Sequence, residues 1–299
     1  MKNRTYNTKK MAWDDRRFAT VVTAIVFILT AACLTPLVYL LAVSLSGSTP
    51  VLRGEVFLLP RDFTLETYQS LIDNGSLIKA MERTILLTIV YVGVSMVMTV
   101  LCAYPLFVPG LKGKKPLLVF VMFTMYFSGG MIPSYLVVNK LGLIDSYWSL
   151  ILPCALSTYN MIVMRTAFAG IPESLRDAAL IDGAGDLTIL TRIVLPLSKP
   201  TLATRALFYA VGRWNGLQDG LLYINDPGKA ILQLSLKQIV QNSQSFSNLM
   251  LEGAASADML PSQTIRAGSL IFSMIPILII YPFLQKYFVK GTMIGSVKG

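Results

Sequence analysis

The sequence predicts an all-α, polytopic membrane protein, and three observations predict it. Hydrophobic residues fill 54% of the 299 positions and charged residues only 14%, where soluble domains carry about 25% charge. Apolar runs recur at close to the roughly 20 residues that a helix needs to cross a hydrocarbon core. The Lys and Arg residues, finally, fall unevenly on the two sides that these runs define. Oil offers no water to an unpaired backbone group, so each run is read as helix and not as strand.

Six transmembrane helices are expected. Residues 1–20 form a basic cytoplasmic tail, and the uncharged run Val21–Leu45 is the first span. The letters LTAAC ending at Cys33 resemble a lipoprotein cleavage site, but the apolar run continues through Leu45, past where a signal segment stops. Residues 46–84 form an extracellular segment. A transmembrane core over 85–284 follows. Its spans are Ile85–Val108, Leu117–Val138, Tyr147–Phe168, Thr201–Ile224 and Gly268–Leu284. Gly129, Gly130 and Pro133 predict a kink or a packed small-residue face in the third span. The fifth carries Arg205, Arg213 and Asp219, so hydropathy alone supports it least.

With the N-terminus inside, segments 1–20, 109–116, 169–200 and 285–299 hold 15 Lys and Arg, and segments 46–84, 139–146 and 225–267 hold 8. Net charge is +9 inside and −1 outside. Both termini are therefore expected in the cytoplasm. The formal charge of +10 is a topology signal, because no segment gathers basic and aromatic residues on one soluble face as a nucleic-acid partner would require.

Several chemistries are excluded. There is no histidine, hence no histidine base, histidine metal ligand or Ser-His-Asp triad within this chain. Cys33, Cys102 and Cys154 lie far apart in apolar runs and read as small buried hydrophobes. No metal site is expected. No G-x-x-x-x-G-K-[ST] occurs, so the chain binds no ATP of its own through that motif.

The inside segment 169–200 is polar and glycine-broken. Pro172 and Glu173 open a helix, Gly183 and Gly185 break it, and Asp186 is placed to cap a second helix. Along that second helix Leu187, Leu190 and Val194 recur at helical spacing. Pro196 and Pro200 close it. Physics alone leaves two readings, a solvated helix-turn-helix on the membrane surface or a docking element.

The spacing resembles the EAA loop of permease subunits of ATP-binding-cassette importers: Glu-Ala-Ala, three residues, Gly, nine residues, Ile-x-Leu-Pro. Here Asp177, Ala178 and Ala179 precede Gly183, and Ile193, Leu195 and Pro196 follow at the family's offsets. Aspartate for glutamate at the first position is the one departure; it keeps the charge and shortens the arm by a methylene. Further stretches are similar to carbohydrate-importer permeases of the maltose type and their lipo-oligosaccharide branch. They are Phe63-Thr64-Leu65-Glu66 with Tyr68, residues 128–153, residues 208–224 and residues 285–299.

The resemblance implies a type I importer permease fold in a bacterial inner membrane, moving an oligosaccharide or modified sugar. It implies four partners: an ABC ATPase dimer that binds the ATP, a second permease completing a heterodimer, an extracytoplasmic solute-binding protein, and the bilayer. Asp177, Ala178, Ala179, Asp182, Gly183, Ile193, Leu195 and Pro196 would form the ATPase-coupling element. The 225–267 loop would meet the binding protein, and the 290–299 tail the ATPase.

Trp214, Asn215, Gln218 and Asp219 are candidates for lining the sugar path, since a sugar wants neutral hydrogen-bonding groups and aromatic planes. Asn215 and Asp219 are four apart and so share a helical face, as do Trp214 and Gln218. The bland alternative pairs Arg213 and Asp219 with a partner subunit or the membrane surface. An ion-coupled secondary transporter without an ATPase is the competing function. It would show an internal repeat, which this sequence lacks. A membrane enzyme would need clustered carboxylates or a nucleophile with a base, also lacking.

Overall fold

The computed structural model describes the backbone of residues 8–251 and 261–296, and side chains over 15–73, 75–242 and 261–281. The described residues are helical, with one isolated antiparallel bridge between Ser46 and Phe63. Helix α1 spans Thr8–Ser44, α2 Glu66–Asn74, α3 Ser76–Phe107, α4 Lys114–Tyr126 and α5 Met131–Lys140. Then come α6 at Thr158–Ala169, α7 at Glu173–Ile181, α8 at Lys199–Trp214 and α9 at Gln218–Tyr223. Helices α10, Leu232–Leu251, and α11, Ser262–Ser296, complete the order.

Every predicted span carries helix, but not as six unbroken rods. Among the described residues, three helices are long and apolar enough to cross a membrane, in α1, α3 and α11. The third predicted span is the pair α4 and α5, bent by 110° where a kink was expected. Gly130 sits at that break with φ +87, a conformation glycine adopts without strain. The fourth span is interrupted between Ile151 and Thr158, and the fifth between Trp214 and Gln218. The predicted loop 225–267 contains a 20-residue helix, α10 at Leu232–Leu251, and the start of α11 at Ser262. Side chains of 243–260 and of the predicted tail 285–299 lie outside the described residues.

The described residues form two compact units, the first of 8–74 with 239–251 and 261–272 and the second of 75–238 with 273–296. In the first unit α1 is an apolar rod whose Phe18, Phe27 and Ile28 are exposed, as suits a lipid-facing helix, while its last turn packs through Ala42 and Val43. Three of its threonines turn inward on their own helix: Thr20, Thr30 and Thr35 each donate Oγ1–H to the carbonyl four residues back, at 2.8, 2.7 and 2.8 Å. That satisfies a hydroxyl that would otherwise face oil unpaired.

The Phe63–Tyr68 stretch packs in the same unit. Thr64 Oγ1 accepts the Glu66 N–H at 3.2 Å at the start of α2, and the hydroxyls of Tyr68 and Ser44 meet at 2.8 Å. Helix α2 lies so close to α11 that a Cβ at Gly268 would stand 2.6 Å from Thr67 Cγ2.

The second unit is built on α3, α6 and α8, which pack on one another. One apolar cluster joins Leu87, Tyr91, Leu150, Tyr209, Tyr223 and Ile231. Another joins Ala103, Leu106, Met161, Met164 and Phe168 to Ile189, Leu190 and Val194. The cysteines correct their expectation: Cys33 and Cys154 are exposed and Cys102 half-buried. A position facing lipid can be apolar without being covered by protein.

The approach at Gly268 makes a test. Gly268→Ala should destabilise the purified protein by about 1–3 kcal/mol through overpacking, read as a lower melting temperature in detergent. Adding Thr67→Ser, which removes the Cγ2 methyl, should restore much of the loss; no rescue would mean the two helices do not meet there.

Candidate functional site

The 173–197 segment is an arm with two limbs. Helix α7 starts after Pro172 and carries Glu173 in its first turn, where an acidic side chain complements the helix dipole. It stops by a Schellman arrangement: Ala184 N–H donates to Ala179 O at 2.9 Å, and Gly183 N–H to Leu180 O at 3.0 Å. Gly183 takes the left-handed conformation that this motif requires, φ +79. The interval between Ala179 and Gly183 is therefore a helix stop. Gly185, by contrast, has an extended backbone, φ −74 and ψ 163, that other residues adopt.

The second limb corrects two expectations. Asp186 is not the cap of its helix, which is Gly185; its carboxylate instead accepts the Tyr104 hydroxyl at 3.1 Å, tying the limb to the end of α3. Leu187 does not join the buried face but is 72% exposed, and Ile189 takes its place, fully buried beside Leu190 and Val194. The cause is a π-helical stretch over Leu190–Val194, which widens the turn and shifts the register that a 3.6-residue repeat assumes.

Motif positions thus separate into two kinds. Ala179 and Leu195 pack on the buried cluster of the second unit, and Ile193 is half-buried. Asp177, Ala178, Asp182, Gly183 and Pro196 are exposed. Sequence reasoning missed the apolar part of the outward surface: Ile181 is 86% exposed, and Leu175 and Leu180 are exposed as well. An apolar side chain at the last residue of a charged helix is the signal that could have found it.

At the other end of α8, a 16-residue helix and hence about 24 Å long, lies the second candidate region. The helix ends at Trp214 and chain direction is lost before α9, so the i,i+4 faces predicted for Asn215 with Asp219 and Trp214 with Gln218 do not form. Trp214 is buried, its ring lining a small apolar recess with Val211, Pro276, Ile277 and Ile280. Asn215 is exposed and donates its amide to Val211 O at 2.9 Å, closing the helix end. Gln218 is exposed, with its amide 3.7 Å from Met131 Sδ.

Asp219 and Arg213 pair with each other, not with a distant surface. The Arg213 side chain is only 3% exposed, and its Nη2 donates to Asp219 Oδ1 at 3.0 Å while Nη1 donates to Oδ2. Arg213 also donates to Leu150 O at 3.0 Å and Gly216 O at 3.3 Å, and lies 5.9 Å from the Tyr91 ring centroid. A side chain at Gly216 would land on that guanidinium. The broken fourth span is served by the same neighbours: Tyr91 donates to Cys154 O at 2.9 Å, and Tyr209 accepts the Ser157 N–H at 3.1 Å while meeting the Thr99 hydroxyl at 2.7 Å.

Beyond this break a polar clasp closes a turn. Asp145, at φ +56, accepts the N–H groups of Asn225 and Asp226 on one carboxylate oxygen at 2.6 and 2.9 Å, and Lys229 donates to its carbonyl at 2.8 Å. The backbone bonds from Asp226 and Asn225 hold the Asp145 carboxyl below its ordinary value, with the Lys229 ammonium adding to them. Among the described residues no group of three or more His, Cys, Asp or Glu could hold a metal ion.

Comparison with known proteins adds the following. The family of binding-protein-dependent transport system inner membrane components matches residues 86–294. The polygalacturonan/rhamnogalacturonan transport system permease protein YtcP of Bacillus subtilis is 40% identical over 95% of this chain and 99% of its own. Protein LplC of the same organism is 41% identical over 90% of each chain. Among solved structures, a bacterial ABC transporter involved in the import of the acidic polysaccharide alginate has a chain 33% identical, with TM-score 0.83, covering 92% of this chain and 98% of that one.

Two measurements test the geometry. Asp219→Ala leaves a buried guanidinium without its counter-charge and should cost about 3–5 kcal/mol, read as a large drop in melting temperature. Arg213→Met with Asp219→Leu should recover most of that loss; a double variant no better than the single would refute the pairing as the main contribution. For Asp145 the folded carboxyl is depressed, so its stabilisation is present above the ordinary value of 3.8 and is lost as pH falls below it. Deuterium exchange at Asn225 and Asp226, corrected for intrinsic rate, should stay protected from neutral pH down to that value and rise in Asp145→Ala at pH 7.

Proposed function

The chain belongs to the family of binding-protein-dependent transport system inner membrane components, and from this we propose that it is the permease subunit of an ABC importer for a carboxylate-bearing oligosaccharide. It is a transport protein and not an enzyme. The acidic character of the substrate is inferred from the relatives, one named for polygalacturonan and another for alginate; galacturonan units each carry a carboxylate. Membership leaves no observation in favour of an ion-coupled transporter that works without an ATPase.

The observation that carries the coupling part of the proposal is the outward surface of the arm. Exposed Ile181 and Leu187 stand among exposed Asp177 and Asp182 on a segment whose inner side is packed against α3 and α6. An apolar surface rimmed by carboxylates suits a cleft on a separate ATPase subunit, with basic residues at its edge. Because the inner side is packed, a push on α7 moves the ends of α3 and α6 as one body. The proposed contact set is Asp177, Ala178, Asp182 and Gly183, held in register by Ala179, Ile193, Leu195 and Pro196.

In this reading the arm and both termini are cytoplasmic, and the chain sits in a bacterial inner membrane beside a second, different permease. ATP is bound by the ATPase dimer alone. Substrate arrives from an extracytoplasmic binding protein, which meets the face carrying the Asp145 clasp and the 225–267 segment. Asn215 and Gln218, exposed at the break between α8 and α9, are the polar groups there that a sugar path could use; Trp214 and Asp219 shape the break behind them.

The test uses two glycines that the sequence alone treats alike. Gly183→Val forces a β-branched side chain into the left-handed region, at a cost of about 1–3 kcal/mol, and should abolish ATP-driven uptake while leaving membrane insertion intact. Gly185→Ala, where the backbone is ordinary and the space open, should stay within about twofold of wild type. Normal uptake and normal ATPase co-purification in Gly183→Val would sink the assignment of this arm.

A further inference from the structure

Among the described residues of the second unit, a buried cation stands without a counter-charge. Arg205, in the second turn of α8, is 8% exposed, and no described carboxylate lies within ion-pair distance of it. Of its five N–H donors the structure commits one, from Nη1 to Asn160 Oδ1 at 3.3 Å, and buried Nε has no partner. Arg213 shows the contrast on the same helix, neutralised by Asp219.

The surroundings of Arg205 are specific. Its guanidinium carbon lies 4.6 Å from the Phe208 ring centroid and 5.7 Å from that of Tyr159. Both rings are themselves exposed, whereas Asn160 is buried beside the guanidinium. A guanidinium among membrane-spanning helices is costly and is retained where it meets an anion or a polar path. Its planar fork is matched to a carboxylate, and ring stacking is a mode open to arginine and not to lysine. Exposed aromatic planes beside a fork of unused donors would recognise a sugar ring through its apolar face and its carboxylate together.

We infer that Arg205, with Asn160, Tyr159 and Phe208, forms a subsite on this chain for the carboxylate of a uronic-acid unit of the transported oligosaccharide. This rests on the importer reading above and deepens it, because it gives this subunit a direct part in selecting an acidic sugar. Asn160 holds the guanidinium from behind through its side-chain oxygen. The two rings form the cover that must part, or receive the sugar, for the donors to be reached. No covalent step is involved.

The experiment uses the complete transporter, with its ATPase, second permease and binding protein, in proteoliposomes, and trigalacturonate as the probe. Arg205→Gln should raise the KM for trigalacturonate by about tenfold or more, the loss of one charge-assisted pair. Subunits should co-purify in wild-type proportion. Arg205→Lys, which keeps the charge but loses the fork, should fall between the two. An unchanged KM, or a fall confined to kcat, overturns the subsite. Loss of subunit stoichiometry overturns it too, since the guanidinium then serves a carboxylate of the second permease. A wild-type complex that assembles, hydrolyses ATP and imports a neutral trisaccharide but not trigalacturonate overturns the acidic-substrate reading and the subsite together. A wild-type chain that binds no ATPase at all overturns the importer reading itself.

Discussion

The structure depends on how broken helices keep their backbone groups paired where no water is at hand. Three of the predicted spans are interrupted, and the breaks at 152–157 and 215–217 free carbonyls and amides that a continuous helix would have used. Tyr91, Tyr209 and Arg213 take them up, bonding to Cys154 O, Ser157 N and Leu150 O. These three side chains come from α3 and α8, so the packing of α3, α6 and α8 and the satisfaction of the breaks are one arrangement. Asp219 completes it by neutralising the arginine.

That arrangement links the two regions of functional interest. Helix α8 runs from the arm to the break, and the arm is seated on the far ends of α3 and α6 through Ile189, Leu190 and Val194. In the proposed coupling, a displacement of the arm would be carried to the break along these packed helices. The π-helical turn at Leu190–Val194 is the irregular part of that connection, and such turns are frequent at functional positions.

Much of this was legible in the chain. The apolar runs located helix at all six places, and Gly129-Gly130 marked the sharp break in the third. The interval from Ala179 to Gly183 named the end of α7, since only glycine takes the left-handed position cheaply. Other features were not legible for identifiable reasons. Leu187 was assigned to the buried face by a 3.6-residue repeat, and a π turn moved Ile189 there instead. Asn215 and Asp219 were put on one face by assuming that the helix continued through Gly216. The helix instead stops at Trp214, and Arg213 turns back to bond the Gly216 carbonyl, a contact that no local pattern announces. Arg205 was counted as an ionisable residue in a span and given no role, because a missing counter-charge is a fact about neighbours distant in sequence.

The sequence by itself determined what depends on composition and short intervals: that the chain is helical and lives in oil, which segment is polar, and where α7 must stop. These follow from the solvent and from backbone conformations that few residues can adopt. Tertiary structure alone decided which arginine is neutralised and which side of the arm faces outward. Those outcomes turn on side chains brought together from positions as far apart as Asn160 and Arg205, or Tyr104 and Asp186. Pairing across such separations is a property of the packed helices and is not written in any one of them.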